Sequence, residues 1–187
     1  MRLPYIDKDP KFASSEDQAI VERVKTRRSG RGLLELDRTL LHAPPVADGW
    51  NSFLGAIRTS ISLPTSIREA AICRVAALNQ ASYEWKHHAP LLINADDTPI
   101  SKEFVDYVLT CKPHQHTHAG YPEALVAVLA YTDAMTLNVK VPDEVFERLK
   151  KTFGEKEIVE ITATVAAYNC VSRFLVALDV GEMADQD

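Results

Sequence analysis

Residues 66–92 constrain this chain more than any other stretch. They form the longest apolar segment of the 187 residues, interrupted only by Asn79-Gln80 and Pro90. Titratable groups nevertheless stand inside it: Glu69, Glu84, His87 and His88. A helix this apolar belongs in a core. Ionisable side chains placed there cost free energy unless they are paired. The segment therefore calls for a helical core and for a structural or functional reason for each buried charge.

The rest of the chain repeats the helical pattern. Ser14 or Ser15 can cap a first helix that carries Ile20, Val21 and Val24 and stops at Ser29-Gly30. A second segment over 33–42 has leucines in helical spacing and is ended by Pro44-Pro45. Trp50, Phe53, Leu54 and Ile57 lie at i, i+3, i+4 and i+7 in a helix over about 46–60. Further helices are expected over 100–112, 123–137, 143–153 and 155–180. No period-two alternation and no hairpin dipeptide occurs. The expectation is an all-α fold in a single domain over 1–187, with an N-terminal arm over 1–14 and a polar tail over 182–187.

The formal net charge of −5 argues against a nucleic-acid surface, which needs clustered Lys and Arg. The short basic run Lys25-Thr26-Arg27-Arg28 reads as a solvated helix end. No uninterrupted apolar stretch approaches the about 20 residues of a membrane span. The N-terminus lacks a signal-peptide core, so a cytoplasmic protein is expected. Cys73, Cys111 and Cys170 are far apart and form no C-x-x-C pair, and each reads as a small core residue. His114, His116 and His118 share one loop. Alternate residues of an extended loop face opposite sides, so a solvated loop or a lid over the site is expected there and no metal site. Neither a Gly-rich phosphate loop nor a G-x-S-x-G elbow is present.

Within 66–92, Glu84 and His88 are i, i+4 neighbours whose side chains can meet on a helix. A carboxylate beside an imidazole orients the ring and makes an acid–base unit. Spacing alone fits a surface ion pair or a satisfied core histidine better. Ser66-x-x-Glu69 matches a capping box, the reading that spacing favours for Glu69. Tyr83 and Trp85 are most simply core or interface aromatics. His87 points about 100° away from His88 on a regular helix.

The pattern Leu63-Pro64-x-x-x-Arg68-Glu69, then an Ala-rich helix, then Tyr83-Glu84-Trp85-x-x-His88, resembles the carboxymuconolactone decarboxylase/AhpD-like superfamily. The resemblance runs from about Trp50 through the helix after Asp97, and the final helix with Tyr168-Asn169 and Arg173-Phe174 is similar too. It implies an AhpD-like helical domain that assembles as a homo-oligomer, a trimer or a hexamer. The AhpD branch uses a Glu, a C-x-x-C pair and a His. Those positions fall here on Glu69, on Ala81 and Glu84, and on His88. Both sulfurs are lost and the acid–base partners stay, so thiol peroxidase chemistry is not expected. The decarboxylase branch needs no metal or organic cofactor. By that resemblance the chain is expected to be a lyase or isomerase acting on a small organic acid or lactone. His88, Glu84 and Glu69 are the catalytic candidates, and Arg58, Arg68, Tyr83, Trp85 and His87 the substrate-binding ones. A non-catalytic assembly or ligand-binding protein on the same scaffold is the alternative, and a residual hydroperoxide reductase the third reading.

Overall fold

The computed structural model describes residues 1–116 and 120–182. Among them are nine α-helices and a π-helical turn, and no strand. The helices are α1 (Ser15–Arg27), α2 (Glu35–Leu40), α3 (Pro44–Thr59), α4 (Thr65–Leu78), α5 (Ser82–Ile93), α6 (Lys102–Thr110), α7 (Glu123–Asp133), α8 (Asp143–Thr152) and α9 (Glu155–Leu178), with the π turn Ala134–Asn138 directly after α7. The all-α expectation holds. The described residues divide into two compact units, one of residues 1–61 with 177–182 and one of residues 62–176.

In the first unit, α1 and α2 both pack on α3. Ser14 caps α1 by accepting the Asp17 N–H. Pro44 and Pro45 do not merely end the preceding helix, as expected; they are the first residues of α3. Proline suits that place, where no intrahelical N–H partner is needed and its φ is already helical. The basic run at the end of α1 also departs from expectation. Arg28 is buried and forks onto Asp37, with Nε–Oδ2 at 2.7 Å and Nη2–Oδ1 at 2.6 Å. The N-terminal arm is pinned as well: Arg2 N–H donates to the Leu178 carbonyl, and the Ile6 carbonyl accepts from Arg38.

In the second unit, α4 is the central helix and packs against α5, α6 and α7. Every residue from Glu69 to Ala76 is buried. A helix with an apolar surface all round must be enclosed, and the alanines at 70, 71 and 76 let its neighbours approach closely. Two charged residues lie within this enclosed stretch, Glu69 and Arg74, and each needs a partner. Arg74, 1% exposed, forks onto the fully buried Asp133 at the end of α7, with Nε–Oδ1 at 2.6 Å and Nη2–Oδ2 at 3.1 Å. Its Nη1 donates to the Val108 carbonyl of α6. One side chain thus joins three helices.

The loop after α6, expected to be a solvated loop or a lid, is exposed from Lys112 to Gln115 but not at His116. His116 is buried and bonds Asp133 through Nε2 at 2.6 Å, while the exposed His114 gives its backbone N–H to the same carboxylate. His118 lies outside the described residues. The cysteines differ from one another: Cys73 is core, Cys111 is half-buried and Cys170 is exposed on α9. By length and composition alone, α9 could cross a membrane. Its buried face carries Thr164, Tyr168 and Ser172 among its apolar residues, as suits a helix packed inside a protein.

Removing Arg74 leaves Asp133 buried without its main counter-charge. Arg74→Ala is expected to lower stability by about 3–5 kcal/mol, read as a shift of the urea midpoint. A shift no larger than that of an exposed substitution such as Lys150→Ala would contradict the role given to this pair.

Candidate functional site

The turn between α4 and α5 sets the site. Asn79 caps α4, Gln80 takes a positive φ of 52°, and Ala81 N–H reaches back to the Ala76 carbonyl at 2.9 Å. This is the six-to-one closure of a helix C-terminus that commonly uses glycine. The Asn79 side chain fastens the turn to α9 through Asn169 and Ser172, at 3.1 and 2.7 Å. The chain thereby doubles back, and α5 runs beside α4.

That return brings His88 to Glu69. His88 Nδ1 lies 2.7 Å from Glu69 Oε2, and both side chains are nearly sealed from solvent. Arg68 donates through Nε to the other carboxylate oxygen at 3.1 Å. Burial alone would raise the Glu69 carboxyl. The hydrogen bond and charge of His88, then Arg68, outweigh burial and hold it below the usual carboxylate range. Glu69 is therefore ionised, and the His88 ring facing it carries hydrogen on Nδ1. The Tyr168 ring of α9 meets the His88 ring edge-on, with centroids 5.0 Å apart.

Glu69 is thus not a cap partner. The Ser66 hydroxyl and backbone N–H are taken by Asp97, at 2.5 and 2.9 Å. Nor does His88 turn to Glu84, its i, i+4 neighbour. An ionised carboxylate already held by an arginine makes the stronger, charge-assisted bond. Glu84 is left 1% exposed, and neither carboxyl oxygen has a hydrogen-bond partner among the described residues. Burial pushes this carboxyl well above the ordinary value, so the fold favours its protonated form. Buried polar atoms are rarely left unsatisfied, and an exception calls for a reason.

Cys73 lies one turn beyond Glu69 on α4. Burial first, then the nearby Glu69 carboxylate, push its thiol well above the usual range. This sulfur is kept protonated. Ala81, buried at the head of α5, carries none. The structure so gathers Glu69, Arg68, Cys73, Glu84, His88 and Tyr168 in the second unit.

The other sequence candidates stand differently. Tyr83 is buried with its ring tilted over that of His87, centroids 4.3 Å apart. His87 is exposed and uses Nδ1 on the Tyr83 carbonyl. Trp85 is half-buried on α5, and Arg58 lies on α3 in the first unit. The resemblance named Tyr168 on the final helix but did not place it beside His88. Its one signal was the polar Asn169 next to it, which binds Asn79 and Thr136.

A group whose folded value lies above its unfolded one favours folding fully only below the unfolded value, and that contribution is lost as pH rises through the folded value. Glu84 is such a group. Glu84→Gln, neutral at every pH, is expected to be the more stable protein at about pH 8. The gap should close as pH falls below the ordinary glutamate value of 4.5. Thermal melts across that range check this, and equal pH dependence of the two proteins would contradict a neutral Glu84.

No family model matches the chain, and no curated protein matches it. Solved structures do. A peroxidase-related protein with an alkylhydroperoxidase AhpD core, from Ralstonia eutropha JMP134, superposes with a TM-score of 0.72 at 19% identity, over 96% of this chain and 90% of that one. A cysteine-to-alanine variant of the debrominase Bmp8, in complex with 2,3,4-tribromopyrrole, gives 0.69 at 19% identity, over 97% and 95%. A protein of unknown function from Agrobacterium tumefaciens, named for the antioxidant defence protein AhpD, gives 0.64 at 21% identity, over 74% and 90%. The chain has the AhpD-like helical fold expected from the Leu63–His88 pattern.

Proposed function

We propose that this chain is a cofactor-independent acid–base enzyme, a lyase or isomerase acting on a small organic acid or lactone. The observation that carries the reading is a buried Glu69–His88 pair at 2.7 Å, with the buried Glu84 carboxyl on the same helix as His88 left without a hydrogen-bond partner among the described residues. An ionised carboxylate that orients an imidazole, with a second carboxyl kept protonated, is a set of groups whose environments pull their proton affinities apart. That is the arrangement acid–base chemistry at neutral pH needs.

With a lactone acid as substrate, the C–C bond to the carboxylate breaks, CO₂ leaves, and the electron pair passes into a conjugated carbonyl. A proton is then delivered to carbon. Glu69 holds the His88 ring and stabilises its protonated form. His88 hands its Nε2 proton to the carbanion or to the enolate oxygen, and the neutral Glu84 stabilises or protonates the developing enolate. Arg68 is the cation beside this pair that can meet a substrate carboxylate. The same groups serve an isomerisation, in which the proton removed from one carbon returns to another.

Thiol peroxidase chemistry has little support at the Glu69–His88 site: Cys73 is sealed with its thiol held protonated, and Ala81 and Glu84 occupy the expected cysteine places. Assembly as a homo-oligomer belongs to the same proposal. Val159 and Val176 of α9 and Leu91 and Ile93 of α5 remain exposed on the single chain.

The test is CO₂ release from carboxymuconolactone and related lactone acids, with deuterium uptake at carbon in D₂O as the readout for isomerisation. His88→Ala and Glu84→Gln are each expected to slow turnover by about 10²- to 10⁴-fold with the helical circular dichroism intact. Turnover retained by His88→Ala would overturn the assignment. Absence of turnover and of exchange across such acids would favour the non-catalytic reading.

A further inference from the structure

A second buried cluster lies apart from Glu69 and His88. Cys111 ends α6, and the following turn, closed by Gln115 N–H on the Lys112 carbonyl, folds His116 back beneath it. His116 Nε2 is 2.6 Å from Asp133 Oδ2. That carboxylate already accepts two N–H groups of Arg74 and the His114 backbone N–H. Burial alone would raise the Asp133 carboxyl. His116 and Arg74 outweigh it and keep it ionised. Facing a carboxylate, Nε2 must carry hydrogen. In the neutral ring Nδ1 is then an acceptor. Among the described residues two protic groups face it, the Tyr107 hydroxyl at 3.4 Å and the Cys111 sulfur at 4.0 Å.

We propose that Cys111, His116 and Asp133 form a nucleophile–base–carboxylate relay that makes Cys111 a site of oxidation by hydrogen peroxide. The order of the groups is that of an activated thiol: sulfur, imidazole, and a carboxylate that fixes the tautomer and stabilises the imidazolium. Burial raises the Cys111 thiol, Arg74 pulls it down and the Asp133 charge raises it again, leaving it above the usual range. The resting sulfur is therefore a thiol, and its reactivity depends on His116 taking the proton during the step. The sulfur is half-buried, so a small electrophile reaches it more readily than a bulky one. In the step, the sulfur electron pair attacks one peroxide oxygen and the O–O bond breaks. The thiol proton passes to Nδ1 and then to the departing hydroxide. Thiol and peroxide become sulfenic acid and water.

Cys170, exposed on α9, is the internal reference. The intact protein is treated with hydrogen peroxide in the presence of dimedone, and adducts at each cysteine are followed by peptide mass spectrometry. Cys111 is expected to react about tenfold faster than the more exposed Cys170. His116→Gln keeps an amide donor for Asp133 but removes the base, and is expected to bring Cys111 down to the Cys170 rate. Tyr107→Phe removes the competing hydroxyl and is expected to hold or raise the Cys111 rate. A wild-type Cys111 no faster than Cys170 would overturn the proposal even if His116→Gln failed to fold. So would a folded His116→Gln with the wild-type ratio, or a Tyr107→Phe protein reduced to the Cys170 rate.

Discussion

The enclosure of α4 is the constraint on which the second unit depends. Water cannot solvate a charge on its sealed stretch, so Glu69 and Arg74 must each be met by another element. Arg74 draws in α6, α7 and the His116 loop. Glu69 draws in α5 through His88. The two charges lie five positions apart on the chain and organise separate networks, one around Asp133 and one around His88.

Each network follows a different rule of satisfaction. Around Asp133, among the described residues, each nitrogen of Arg74 has a partner and both carboxylate oxygens accept. Around His88 satisfaction stops short: Glu69 is matched on both oxygens, while Glu84 is not matched at all among the described residues. Low local polarity strengthens a completed network and penalises an incomplete one. The deficit is thus concentrated on a single carboxyl. Fold likeness to a debrominase and to peroxidase-related proteins does not specify the chemistry of this chain, because chemistry resides in the side chains a fold presents. Here those are carboxyls and an imidazole.

Much of the fold was legible in the chain because helical spacing is a short-range signal. The stripe of Trp50, Phe53, Leu54 and Ile57 placed α3, whereas the Asn79-Gln80 interruption of the apolar run was not read as the end of one helix and the start of the next. Pro44-Pro45 was misread because proline both ends one helix and begins another. The site was less legible for a reason of geometry. Side-chain spacing rules reach only to i+4, so they offered Glu84 as the partner of His88. The true partner is 19 residues away and depends on the positive φ at Gln80. Likewise His116 looked solvated because Asp133, 17 positions on, belongs to another helix. Only the motif resemblance brought Glu69, Glu84 and His88 together in advance.

The α4–α5 turn also bears on the order of assembly. The Glu69–His88 contact spans 19 residues, whereas the Asn79–Asn169 clamp that fastens the same turn spans 90. Closing the longer loop costs roughly 1 kcal/mol more chain entropy. Local helical hairpins also form faster than distant pairings. The carboxylate–imidazole contact is thus the cheaper of the two to close, contained within one hairpin, whereas the clamp that brings in α9 and its Tyr168 carries the greater share of the chain-entropy cost.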